Sequence, residues 1–176
     1  MEFKILTKEE KILFKADIIN MLVESDDEFL PPLSKRTSPR DKTFSHDNVS
    51  SDGILSYFNA MIEQEIMVSL DGDRLVGFVS YYENYESGQK PNIYVSTLIV
   101  AKAARGLGIT STMYSYLFDK LYSDRYVYTR TWSTNIAHTK ILSRFGFSEF
   151  NRIKDERGIG IDTVYFVRPI KSCKEN

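Results

Sequence analysis

Cysteine is almost missing from this sequence: Cys173 stands alone among 176 residues, so no internal disulfide can form and a reducing cytoplasm is the expected compartment. A dominant charge is missing too. With 23 basic against 24 acidic residues, no global field draws in nucleic acid or an anionic membrane, and neither is expected as a partner. No apolar run approaches the roughly 20 residues that a membrane helix needs. The start MEFKILTKEEK lacks the apolar centre of a signal peptide. Histidine is scarce, and His46, His138 and Cys173 stand too far apart in the chain for zinc-like spacing, so no metal is expected.

What is present is ordinary globular material, 42% hydrophobic over a length suited to one core, and one domain over residues 1–176 is expected. Thr7 and Glu10 make a capping box, and Ile12, Ala16, Ile19 and Val23 then recur at helical spacing. The stretch from Glu24 to Gly53, rich in Pro, Ser, Asp and Lys, far exceeds a usual connection of about 4 to 6 residues. Within it, FLPPL reads as an ordered corner. A short helix is expected over Ile54 to Glu63, then a hairpin built from EIMVSL, the turn DGD and RLVGFVSYY. The apolar strand IYVSTLIV follows, then a glycine loop, and then a helix whose Ile109, Met113, Leu117 and Leu121 form one stripe. A strand YVYTRTW, a helix from near Asn135 to a stop at Gly146, and strands SEFNRIK and IDTVYFV complete a mixed α/β pattern. The glycine-rich ERGIGID lies between two strands and reads as a hairpin turn.

The chemistry concentrates at VAKAARGLGIT. Two glycines at a strand-to-helix junction let the amides of Gly106, Leu107, Gly108, Ile109 and Thr110 converge on an anion at a helix N-terminus, and Arg105 adds a full charge. A tight turn without ligand is the competing reading. A Walker loop would need Lys followed by Ser or Thr, and a dinucleotide fold a third glycine early in the chain; neither is present.

A second element stands at a fixed distance: NIAHTKILSRFGF, from Asn135 to a Gly-Phe stop. Together the two resemble the consensus V-x-P-x-x-R-G-x-G-x-G/A and N-x-x-A-x-x-x-Y-x-x-x-G-F of the GNAT superfamily of acetyl-CoA-dependent N-acetyltransferases. The resemblance spans roughly Ile93 to Val167. It implies a single-domain GNAT fold, a mixed sheet flanked by helices that splays between the strand ending at Val100 and the one ending near Trp132, with coenzyme A in the opening. It further implies that the backbone of Leu98, Ile99 and Val100 bonds the pantetheine like an added strand, that Arg105 to Thr110 cradle the pyrophosphate, and that Asn135 bonds the pantetheine arm. Ser111 could add a hydroxyl, or simply start the helix. An acetyl-CoA-binding core over about 93–150 and an acceptor-side loop over about 25–52 follow from the same resemblance.

Three departures stand out. Thr110 replaces the final glycine or alanine of the loop, Leu142 the tyrosine that many members use to protonate the departing thiolate, and Arg130 the glutamate that some use as base. A thiol of pKa ~8.5 leaves as thiolate at pH 7 for about 2 kcal/mol, whereas stripping an amine of pKa ~10.4 costs about 4.6 kcal/mol. The missing acid is therefore tolerable, and the base matters unless the acceptor is an α-amino group of pKa ~7.7 to 8.0. Glu83, Tyr94 and Ser96 are the candidates, Glu83 also reading as a solvated acid. On the acceptor side, Phe29, Arg130 and the basic Lys35, Arg36, Arg40 and Lys42 are substrate-binding candidates, with Tyr81, Tyr82, Tyr94 and Tyr165 as lining. Arg130 would hold a carboxylate beside the amine; its competing role is a pair with an internal acid such as Asp162. The expected activity is acetyl transfer to a primary amine, of a small molecule or of a protein, with a homodimer among the expected partners. The alternative is an acyl-CoA-binding sensor without turnover.

Overall fold

The computed structural model describes residues 1–39, 53–86, 91–121 and 125–169; the expectations for Arg40, Lys42, His46 and Cys173 fall outside them. Seven strands, β1 (Glu2–Ile5), β2 (Glu65–Asp71), β3 (Arg74–Glu86), β4 (Pro91–Val100), β5 (Tyr126–Trp132), β6 (Ser148–Ile153) and β7 (Thr163–Pro169), form one mixed sheet in the order β1-β2-β3-β4-β5-β7-β6. Among the described residues five α-helices accompany them: α1 (Lys8–Leu13), α2 (Lys15–Glu24), α3 (Gly53–Ile62), α4 (Ile109–Lys120) and α5 (Ile136–Arg144). The fold is thus the mixed α/β architecture expected. The chain packs as two compact units, residues 1–80 with 96–109 and residues 81–95 with 110–176.

In the first unit the capping box forms as read: Thr7 Oγ1 accepts from the Glu10 amide at 3.3 Å and Glu10 Oε2 from the Thr7 amide at 2.9 Å. The buried face of the helix it starts is a correction. Ile12 and Val23 are 74% and 56% exposed, while Ile18, Met21 and Leu22 are buried. The segment is apolar on more than one side, and it also breaks at Phe14 into α1 and α2, so periodicity alone does not select the inward face. The selection comes from α3, whose Tyr57, Phe58 and Met61 join Ile18, Met21 and Leu22 in one core.

FLPPL is an ordered corner. Leu33 is fully buried, the Arg36 guanidinium donates twice to the Pro31 carbonyl at 2.9 and 2.8 Å, and it lies 5.4 Å from the Phe29 ring centre. Asp26 accepts from both the amide and the hydroxyl of Ser34 at 2.7 Å. Ser34 in turn lies against Gly53: a Cβ there would sit 2.9 Å from the Ser34 Cα and closer still to its carbonyl oxygen. Gly53→Ala is therefore expected to destabilise the protein by about 1–3 kcal/mol through overpacking, read as a lowered urea midpoint at unchanged slope.

In the second unit β5 and β7 pair antiparallel from Tyr126↔Pro169 to Trp132↔Thr163, and β4 joins β5 in parallel from Ile93↔Val127 to Val95↔Thr129. Residues alternate between faces along each strand. One face carries Val127, Thr129, Val164 and Phe166, all buried. Tyr114 of α4 centres an aromatic cluster in this unit, with ring centres of Phe118, Phe145 and Phe147 at 5.6, 5.5 and 6.0 Å. The opposite face carries Tyr128, Arg130 and Tyr165.

Candidate active site

The glycine loop hangs between β4 and α4. Ile99 and Val100 are buried and pin the end of the strand. A 3-10 turn, Lys102–Ala104, follows, and Arg105 Nε donates back to the Val100 carbonyl at 3.1 Å. Gly106 and Gly108 then take left-handed φ angles of 80° and 75°, which side chains bearing a Cβ adopt only with strain. Nothing lies within 4 Å of where a Cβ would stand on either, so the glycines serve conformation and leave open space over the loop. Ile109, buried at 3% exposure, anchors the first turn of α4, while Leu107 is 69% exposed. The amides of a first helical turn have no intrahelical acceptor, and here Ile109, Thr110 and Ser111 supply them. That geometry fits an anion, and its positive potential comes from backbone rather than from Arg105. The Arg105 guanidinium grips Glu28 in a two-point pair, Nη1 to Oε1 at 3.1 Å and Nη2 to Oε2 at 2.7 Å, with Lys102 Nζ at 3.3 Å from the same carboxylate. The bond from Arg105 holds the Glu28 carboxyl below the usual carboxylate range. Glu28 carries no sequence signal, since the pair joins residues 77 positions apart.

In the second unit, Asn135 caps α5. Its Oδ1 accepts from the His138 amide at 3.2 Å and its Nδ2 donates to Thr131 Oγ1 at 3.1 Å. Leu142 is completely buried. Tyr114 is buried as well, its hydroxyl 2.9 Å from His138 Nε2. Burial raises the tyrosine pKa and pushes the histidine down to about 4.

A family model for the acetyltransferase (GNAT) family matches residues 23–147. The chain belongs to the GNAT acetyltransferase family. Its fold is similar to that of solved GNAT structures. The aminoglycoside 6'-N-acetyltransferase of Enterococcus faecium is 14% identical, with 99% of this chain and 100% of that one covered, at a TM-score of 0.67. The ribosomal-protein-alanine N-acetyltransferase of Brucella melitensis is also 14% identical, with 96% and 99% covered, at 0.66. The yncA protein of Salmonella typhimurium, solved with its cofactor acetyl-CoA, is 14% identical, with 100% and 97% covered, at 0.66. No curated protein matches the sequence.

Of the remaining residues expected for GNAT chemistry, Tyr81 and Glu83 lie on β3, Tyr94 and Ser96 on β4, and Arg130 on β5. Glu83 is exposed on β3, and its carbonyl accepts from Arg125 at 3.1 Å. Ser96 sits in a polar knot, its Oγ at 2.5 Å from Gln64 Oε1 and 2.9 Å from Ser80 Oγ. Phe29 packs half-buried against the core of the first unit, and Tyr81 is wholly buried. Tyr94 belongs instead to an aromatic row, with the Tyr85 ring centre at 4.9 Å and the Tyr82 centre at 6.5 Å. Arg130 is not held by Asp162, which pairs with Arg152 at 2.9 Å. It stands directly opposite Tyr165 in the β5–β7 register. Burial pulls the Arg130 pKa down, but Tyr94, Tyr165 and Glu156 favour its charged form and leave it raised. Glu156, like Glu28, is a residue the sequence reading missed. Among the described residues no group of three or more His, Cys, Asp and Glu could hold a metal ion, and no helix is long and apolar enough to cross a membrane.

Proposed function

We propose that this GNAT protein, acting in the cytoplasm, transfers the acetyl group of acetyl-CoA to a primary amine by direct attack on the thioester. The observation that carries the reading is the loop from Arg105 to Thr110: two left-handed glycines, open space above them and the first turn of α4 behind. Clustered amide donors suit a pyrophosphate. In this reading the backbone of Leu98, Ile99 and Val100 bonds the pantetheine, Ser111 lies beside the phosphates, and Asn135 bonds the arm with the capacity that capping leaves it. Acetyl-CoA supplies the activated acyl group; the protein positions the amine and aligns donors with the developing oxyanion. The compared structures include enzymes named for aminoglycoside and for protein alanine acceptors, both amines.

Leu142 and Tyr114 favour the alternative of an acyl-CoA sensor, since one position is core and the other phenol is buried with a raised pKa. The weak cost of thiolate departure favours turnover. Calorimetry with acetyl-CoA, followed by release of free thiol against an amine panel, separates the readings. Binding together with amine-dependent thiol release is the expected result. Binding alone across a broad panel supports the sensor, and no binding removes both.

A further inference from the structure

The first unit sets a carboxylate of its own against the cations of the glycine loop. Glu28 ends a 3-10 turn, Asp26–Glu28, in which the Glu28 amide donates to the Ser25 carbonyl at 3.1 Å and the Phe29 amide to the Asp26 carbonyl at 3.3 Å. The turn is also held from the far side, where Asp26 accepts from the amide and the hydroxyl of Ser34 at 2.7 Å, next to the fully buried Leu33. The cations have a comparable mount. Ala101 donates to the Val76 carbonyl of β3 at 2.9 Å, the turn Lys102–Ala104 follows, and Ala104 is buried. Arg105 Nε is fixed to the Val100 carbonyl at 3.1 Å. Its two Nη atoms then meet the two Glu28 oxygens at 3.1 and 2.7 Å, and Lys102 Nζ stands 3.3 Å from Oε1.

The three side chains are 34% to 56% exposed, and ion pairs at such exposure contribute little to stability. Their larger effect is on ligands. A fork of guanidinium N–H groups that meets two carboxylate oxygens in parallel matches a phosphate equally well. With Lys102 beside it, the place that Glu28 fills is a seat for a small polyanion. The loop assigned to the coenzyme begins one residue further on, where Gly106 and Gly108 leave open space. The coenzyme is fixed over that space by its pantetheine arm along Leu98, Ile99 and Val100, whereas a free polyphosphate has no arm and is drawn by charge alone.

We propose, resting on the assignment of the glycine loop to acetyl-CoA, that Glu28 is a specificity-determining residue. It fills the anion seat between Arg105 and Lys102 and so keeps free polyphosphates off the cofactor loop, while the coenzyme, held by backbone and by its arm, is still admitted. Contacts to the right ligand and obstacles to the wrong one are separate means to specificity. Polyphosphates carry the same pyrophosphate group as the coenzyme, so backbone donors over the glycines cannot by themselves tell the two apart.

The test measures the binding of inorganic pyrophosphate and of acetyl-CoA to the full chain by calorimetry, at low and at physiological salt. The wild type is expected to bind acetyl-CoA and to bind pyrophosphate only weakly. Glu28→Gln should tighten pyrophosphate about tenfold or more, in competition with acetyl-CoA and with a steeper loss in salt, and should change acetyl-CoA affinity by about threefold or less. Glu28→Asp keeps the charge and should stay near the wild type. Adding Lys102→Gln to Glu28→Gln should cancel the gain. Unchanged pyrophosphate affinity in folded Glu28→Gln overturns the proposal and leaves Glu28 as a staple between turn and loop. An equal gain for both ligands overturns it as well, as does a gain that does not compete with acetyl-CoA. Each of these results leaves the cofactor reading intact as long as the wild type binds acetyl-CoA. A wild type that fails to bind acetyl-CoA removes that reading and the proposal with it.

Discussion

Gly108→Asp is expected to lower acetyl-CoA affinity at least 100-fold while leaving the protein folded. Gly108 stands at φ 75° with nothing within 4 Å of its would-be Cβ, so no neighbour is displaced, and aspartate is among the residues that tolerate the left-handed region best. The carboxylate would project into the space assigned to the pyrophosphate. Two unit charges 4 Å apart repel by about 4 kcal/mol at an effective dielectric of about 20, and even half of that added to about 1 kcal/mol of backbone strain exceeds the 2.8 kcal/mol or so that a hundredfold change needs. Gly108→Ala brings only the strain and should cost about tenfold or less. Calorimetry on both variants distinguishes charge from strain. Equal affinities for Gly108→Asp and wild type would remove the loop from the cofactor site.

Acidification is expected to destabilise the protein before its carboxylates titrate, and His138 is the cause. Its imidazole is held neutral by burial, with its pKa pushed down to about 4 from an ordinary 6.5. Between those values the unfolded chain binds more protons than the folded one, so stability is fully present above pH 6.5 and declines as the pH falls toward 4. The slope approaches about 1.4 kcal/mol per pH unit, or roughly 2 kcal/mol between pH 6.5 and 5. The carboxylates with lowered pKa values, among them Glu10, Glu28, Glu149 and Asp162, contribute in the same direction but only at lower pH. The double variant Tyr114→Phe with His138→Phe removes the imidazole without orphaning the tyrosine hydroxyl. Urea midpoints measured from pH 7 to 5 should fall in the wild type and stay nearly level in the variant. A wild-type stability that is flat across that window would contradict a neutral imidazole at His138.

Much of the local structure was legible in the sequence, because the interactions that set it span only a few residues. The capping box of Thr7 and Glu10, the DGD turn with Gly72 at φ 60°, the strand Tyr126–Trp132, the glycine loop between a strand and a helix, and the Gly146 stop are all present as read. The family resemblance came from the same kind of signal, two motifs at a set distance, and both lie inside the residues 23–147 that the family model matches. The buried face of α2 was not legible. Its apolar residues occupy several sides, and the choice between Val23 and Ile18 or Leu22 was made by packing with α3.

Charges were the least legible feature. Arg105 reads as a free cation for a phosphate, yet it is paired with Glu28 from 77 positions away. For Arg130 the sequence offers a substrate carboxylate or a pair with Asp162, and the second is taken by Arg152, while Arg130 stands opposite Tyr165. Coulomb attraction acts between whichever groups the chain brings within a few ångströms, and that proximity arises from β-pairing and loop closure rather than from spacing along the sequence. By itself the sequence therefore determined the caps, the turns, the order of strands and helices, and a glycine loop at a strand-to-helix junction. Only the tertiary structure decided which helix face is buried and which charges are spent on one another.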